Sequence, residues 1–336
     1  MSRIAAVLVS LATVSCTGIM STPDGSGSST VEVVEPDAGR CIDLKGTVST
    51  LAQGTYCVTG DVIIPTGVTL DIPAGTTFIV KGRYHFGRDM LVPDLEPPAI
   101  EGSGSIRAIG TAEAPIVFRG ETPDTQWYGL VISHTHDPVH LEYVTISDTY
   151  KDDRNRDSVI WRRGGALNSY VNKKGTILRH CTFTNNRSWS AAGAVEIFSH
   201  GYWPDTGLVE ITDSRFENNA CECEHYSPNA TDKCGGGALR LMRISGDEDL
   251  VKISNNVFKN NKAMAGDAGI PSFGGAISGA TSGVILGVGN VFEGNSAASG
   301  DGAISCNNEP MLGSVVDEVN PAVVFTNNTP NNGCGK

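Results

Sequence analysis

A chain of 336 residues with a net charge of −12 and a pI near 5.0 lacks the clustered lysine and arginine that a phosphate backbone demands, which excludes a nucleic-acid partner. Glycine is abundant at 40 residues, aromatic residues make up 7%, and no long stretch carries helical periodicity. That combination excludes a helical bundle and points to short strands joined by tight turns, on a soluble, self-repelling surface.

Residues 1–16 read as a targeting segment: Arg3 supplies a positive charge, Ile4 to Val14 an apolar run, and Cys16 follows the small residue Ser15. The arrangement resembles a bacterial lipoprotein signal, which implies that Cys16 becomes the lipidated first residue of the mature chain. Residues 17–40, with Gly and Ser concentrated between Pro23 and Thr30, form a flexible tether. No other apolar run is long enough to span a bilayer, so the membrane is reached through the lipid anchor alone. The expected address is the outer membrane, facing outward, or the medium.

Residues 41–336 are expected to form one domain. From Val48 to Val80, short apolar runs such as Val62-Ile63-Ile64 and Thr77-Phe78-Ile79-Val80 alternate with turns at Thr66-Gly67 and Ala74-Gly75. The strands Trp127 to Ile132 and Leu141 to Ile146 follow. This order resembles the opening coils of bacterial right-handed parallel β-helix proteins, so the expected fold class is all-β, a solenoid of that kind.

From residue 164 onward two phrases recur. One is small, as in Gly164-Gly165-Ala166-Leu167, Ala192-Gly193-Ala194-Val195, Gly236-Gly237-Ala238-Leu239, Gly274-Gly275-Ala276-Ile277 and Asp301-Gly302-Ala303-Ile304. The other is an aromatic followed by amides, beginning at Phe183, Phe216, Phe258, Phe292 and Phe325, with steps of 33, 42, 34 and 33 residues. A period of this size marks a stacked repeat. The phrases resemble the polymorphic outer-membrane protein repeat, which implies an adhesin-like or surface-display role. In a solenoid the Phe residues stack inside, and Asn186, Asn219, Asn261, Asn295 and Asn328 form a hydrogen-bonded ladder at a turn.

Function is then sought where the period breaks. Connections from Ser147 to Arg163, Ala220 to Cys234 and Lys262 to Phe273 exceed the shortest coil and bulge at one corner. They carry Tyr150, Arg154, Arg156, Trp161, Arg162, His225, Tyr226 and Phe273, and a neighbouring loop carries Tyr202 and Trp203. Aromatic and Arg side chains suit a sugar or a protein partner. A solvated variable loop is the alternative for each.

With Cys16 set aside, eight cysteines remain. Proximity favours Cys41 with Cys57, Cys306 with Cys334, and Cys234 with Cys221 or Cys223. Neither metal pattern is complete: Cys221, Cys223, Cys234 and His225 lack a second ordered pair for zinc, and Asp152, Asp153 and Asp157 lack the spacing of a calcium loop. His134, His136 and His140 sit beside Pro138, as an exposed turn would. No cofactor, metal or catalytic residue is assigned. The expected function is a non-enzymatic surface lipoprotein that binds a glycan or protein through protruding loops, and the alternative is a polysaccharide lyase or glycoside hydrolase.

Overall fold

The computed structural model describes residues 41–87, 103–135, 137–151, 164–170, 172, 174–189, 191–198, 207–222, 234–242, 251–264, 272–280, 284–298, 301–305, 318–319 and 322–329. The targeting segment, Cys16 and the tether lie outside them. The described residues contain strands and turns only, and no helix among them is long and apolar enough to cross a membrane.

The chain is a parallel β-helix. Every strand pairing among the described residues is parallel, and strands line up in columns that the chain visits in a fixed order. One column, the first face, runs through Leu130–Ser133, Leu167–Tyr170, Val195–Phe198, Leu239–Met242 and Ile277–Ala280. The second face runs through Thr77–Val80, Ile116–Gly120, Val144–Ser147, Thr182–Thr184, Arg215–Glu217, Val257–Lys259, Val291–Glu293 and Val324–Thr326. The strand Thr55–Ile63 joins the two, its first half beside the second face and its last residues beside Phe86–Gly87 of the first. The third face includes Thr69–Ile72, Ser105–Ile109, Val139–Glu142, Thr176–Arg179, Val209–Thr212 and Val251–Ser254.

Alternate residues of each strand point inward. On the third face this builds the column Leu141, Leu178, Ile211, Ile253 and Leu286, all fully buried. On the second face it builds the expected aromatic ladder, with ring centroids 4.9, 4.8, 4.8 and 5.1 Å apart from Phe183 to Phe325. The ladder reaches further back than the repeat shows, through Ile146 to Phe118, Phe78 and Tyr56 in continuous register.

Two short turns close the coils from residue 141 onward; the first keeps one length, and the second gains a single residue at the Gly289 coil. At one, Asn185, Asn218 and Asn260 adopt left-handed φ of 54–56°, and Gly294 takes the same place at 65°. The next residue is the buried Asn, and its amide is saturated. Asn219 Oδ1 accepts from the Asn186 backbone N–H and from Asn186 Nδ2, each at 3.0 Å, while its Nδ2 donates to Asn261 Oδ1 at 2.9 Å and to Phe183 O at 3.0 Å. The other turn holds His180, Asp213, Asn255 and Gly289 at left-handed φ, followed by a second ladder. There Ser214 N donates to Asn256 Oδ1 at 2.9 Å and Asn256 Nδ2 to Asn290 Oδ1 at 3.1 Å. In both turns a short polar side chain tolerates φ > 0, and its neighbour satisfies backbone groups with no strand partner.

The Gly-Gly-Ala phrases line the start of the first face. A Cβ on Gly193 would lie 2.0 Å from Gly237 O, and one on Gly237 2.1 Å from Gly275 O, so only hydrogen fits between successive coils.

Replacing Asn219 by Ala orphans the Asn186 backbone N–H and one Asn186 Nδ2 hydrogen, while the Phe183 carbonyl keeps its strand bond. Each buried unsatisfied group costs about 1–3 kcal/mol, so Asn219→Ala is expected to lose roughly 2–5 kcal/mol. Asn218→Gly, at an exposed left-handed residue one step away, is expected to shift stability by less than about 0.5 kcal/mol. Urea unfolding of the two variants checks this, and equal midpoints would refute the ladder's role.

Candidate functional site

The long connections meet the body of the solenoid where a narrow sheet precedes the first face. Its strands are Tyr150–Lys151, Arg187–Ser188, Ala220–Cys221, Lys262–Ala263 and Ser296–Ala297. One column runs Tyr150, Arg187, Ala220, Lys262, Ser296, and the adjacent one runs Lys151, Ser188, Cys221, Ala263, Ala297. The segments 152–163, 223–233 and 265–271, which follow this sheet in sequence, lie outside the described residues.

The first column borders an open groove of about 520 Å³. One wall is the row of exposed left-handed amides, Asn185, Asn218 and Asn260; the other carries Arg187, Ala220 and Lys262, with Met264 at its end. Arg187 Nε donates to Glu222 Oε1 at 2.7 Å, and its guanidinium lies 4.6 Å from the Tyr150 ring centroid. Lys262 is exposed and makes no ion pair among the described residues.

Behind the corner, the outward side of the first face carries a polar column in register: Asn168, Glu196, Arg240 and Ser278. Their exposures are 0%, 0%, 5% and 3%, an unusual state for outward residues of a sheet. Arg240 Nη1 lies 3.8 Å from Glu196 Oε1, and among the described residues neither Arg240 Nη1 nor Ser278 Oγ has a hydrogen-bond partner. Burying charge costs several kcal/mol per ion unless geometry repays it, so such a pair is weak evidence for stability. The third face differs: its outward Arg107 and Asp71 pair in the open, at 58% and 60% exposure.

Of the residues the sequence nominates, Tyr150 and Phe273 fall among those described. Tyr150 is 8% exposed beneath Arg187, a buttress to the groove, and Phe273 is half-buried on a strand, Ser272–Phe273, paired with Cys234–Gly235. Arg154, Arg156, Trp161, Arg162, Tyr202, Trp203, His225 and Tyr226 lie outside the described residues, as do His136 and the Asp152, Asp153 and Asp157 cluster. Glu196 and Arg240 are missing from the nominated set. The signal that could have found them is position: each stands two residues after the Ala of a Gly-Ala phrase, where the other repeats have Asn168 and Ser278.

The Cys41–Cys57 disulfide is formed as expected. Cys221 is fully buried, and burial pushes its thiol up to about 12. Cys306, Cys334 and the side chain of Cys234 lie outside the described residues. His134 adopts φ 55° and is half-buried, and His140 lies half-buried on the third face, its pKa lowered by burial against the opposing pull of Glu142. No cluster of three His, Cys, Asp or Glu able to hold a metal occurs among the described residues.

No family model, curated protein or solved structure matches this chain.

Cys181 starts the second turn ladder, its Sγ 3.4 Å from Leu141 O, and burial pushes its thiol from 9.0 to about 12. The unfolded thiol therefore ionises from pH 9 upward while the folded one stays neutral, so its contribution is complete below pH 9 and is lost as pH rises toward about 12. Stability measured between pH 8 and 11 should fall more steeply for the native chain than for Cys181→Ala, by up to about 1.4 kcal/mol per pH unit. Parallel slopes would refute the assignment.

Proposed function

We propose that this chain is an exported, non-enzymatic binding protein of the cell surface, adhesin-like, that uses a parallel β-helix to present a glycan-binding corner. The observation that carries the reading is the open groove of about 520 Å³ beside the corner sheet, where amides and cations stand with Ala220 and Met264 and no aromatic ring lines it. Hydroxyl-rich ligands are recognised by such donor and acceptor sets, whereas protein interfaces are anchored by buried aromatic and aliphatic groups. The Cys41–Cys57 disulfide supports export, since such bonds persist in oxidising compartments.

Anchoring through Cys16 follows from the amino-terminal signal. Mass spectrometry of the mature protein is expected to find an acylated cysteine at its first residue, and Cys16→Ser should release the protein into the medium. A mature terminus downstream of residue 16 would remove the anchor and leave a secreted protein.

A second reading, a polysaccharide lyase or hydrolase, is favoured by Glu196 and Arg240 buried on the first face and by Glu222, whose Oε2 has no hydrogen-bond partner among the described residues. A buried carboxylate beside a guanidinium can serve as an acid–base group. The two readings separate in one screen of the purified protein against soluble polysaccharides, scored for retention and for new reducing or unsaturated ends. Retention without product is the expected outcome, and product formation that disappears in Glu196→Gln would establish the enzyme instead.

A further inference from the structure

We propose that the corner groove is a subsite for an acidic polysaccharide, bearing carboxylate or sulfate groups, laid along the axis of the solenoid. The inference rests on the glycan-binding reading and specifies the glycan.

Lys262 and Arg187 stand in one column with Ala220 between them. Coils repeat at about 4.8 Å, so the two cations project from positions roughly 10 Å apart. Ala220 adds only a methyl group, which leaves the space between them clear. Opposite them, Asn185, Asn218 and Asn260 offer an amide at each coil, all exposed. No side-chain hydrogen bond of Asn218 or Asn260 is made among the described residues, so both can donate to and accept from hydroxyls. A polymer along the groove thus meets alternating amides on one side and, one intervening coil apart, two positive charges on the other. Arg187 is already balanced by Glu222, but Lys262 has no counter-charge among the described residues.

An acidic peptide fits less well. The corner strand Arg187–Ser188 is paired on both sides, so it has no open edge to receive another strand, and the apolar side chains of the groove are Ala220 and Met264, with no aromatic ring to anchor a peptide side chain. The protein's net charge of −12 does not forbid an anionic ligand. Carboxylates farther away than the Debye length of about 8 Å are screened at physiological salt, whereas contact charges are not.

The test uses the purified mature protein with three probes: dextran, dextran sulfate and polygalacturonate, read by affinity electrophoresis. Expected are retention by at least one acidic polymer and none by dextran, loss of retention at about 0.5 M salt, and an affinity lowered at least about tenfold by Lys262→Glu. Lys45→Glu, on the exposed side chain of a distant strand, is expected to leave binding unchanged. Which acidic polymer is retained distinguishes a sulfate from a carboxylate ligand. Equal retention by dextran, or acidic binding indifferent to Lys262→Glu, overturns the subsite while glycan binding stands. Retention by none of the three removes both. Unchanged urea midpoints for the two variants exclude misfolding as the cause of a loss.

Discussion

Everything in this structure depends on register: a residue in one coil must sit directly over its equivalent in the next. Parallel pairing satisfies the strand backbones, but each coil also turns, and turn carbonyls and amides have no strand partner. The buried Asn column resolves this by binding one coil's backbone with one face of the amide and the next coil's amide with the other. The Asn186 to Asn328 ladder keeps one spacing throughout, whereas the second ladder absorbs one added residue at Gly289 through left-handed glycine and keeps its Asn256–Asn290 bonds.

Variation concentrates elsewhere. The turn at Asn185 keeps the same length from coil to coil, the turn at His180 gains one residue at Gly289, and both are stitched by side-chain ladders. Chain of differing length collects at the two borders of the first face. The same borders flank the buried column Asn168, Glu196, Arg240 and Ser278. Exposed pairs elsewhere, such as Arg107 with Asp71 or Arg179 with Glu210, contribute little and need no functional explanation. A guanidinium at 5% exposure with an unpartnered nitrogen does need one.

The parts of the fold legible in the sequence are those where one chemistry repeats. Phe and Asn recur as themselves, so both ladders are visible in the linear chain. The second turn ladder is not, because Cys181, Ser214, Asn256 and Asn290 do one job with three side chains, and all three pass for ordinary turn residues. Likewise Tyr56, Phe78 and Phe118 precede the regular period, and nothing in their spacing marks them as a continuation of the Phe stack. The site is legible only as a location. Tyr150 stands out as an aromatic, yet its ring lies under Arg187, and nothing in a linear sequence reveals which face of an aromatic is covered. Glu196 and Arg240 escape notice because a charge on the outward side of a strand is ordinarily a solvated one; only the burial of the first face makes it otherwise.

The division between scaffold and recognition has a physical basis in the alternation of strands. Within the corner sheet, Ser188, Cys221 and Ala263 face the body and are buried, so their size is fixed by packing. Their neighbours Arg187 and Lys262 face solvent and take no part in either ladder. Substitution in that outward column changes the charge and width of the groove at little cost to the fold. The inward column cannot change so freely, because its side chains are buried, and the Gly-Gly-Ala line is equally confined: a Cβ on Gly193 or Gly237 would lie 2.0–2.1 Å from a glycine carbonyl of the next coil. Recognition can therefore diverge at Arg187 and Lys262 while the Asn positions one or two residues away are held by stacking. A solenoid of this design retains its shape while its ligand changes, and a repeat that stays plain in Phe, Asn and Gly while the groove residues differ from coil to coil is what such unequal constraint produces.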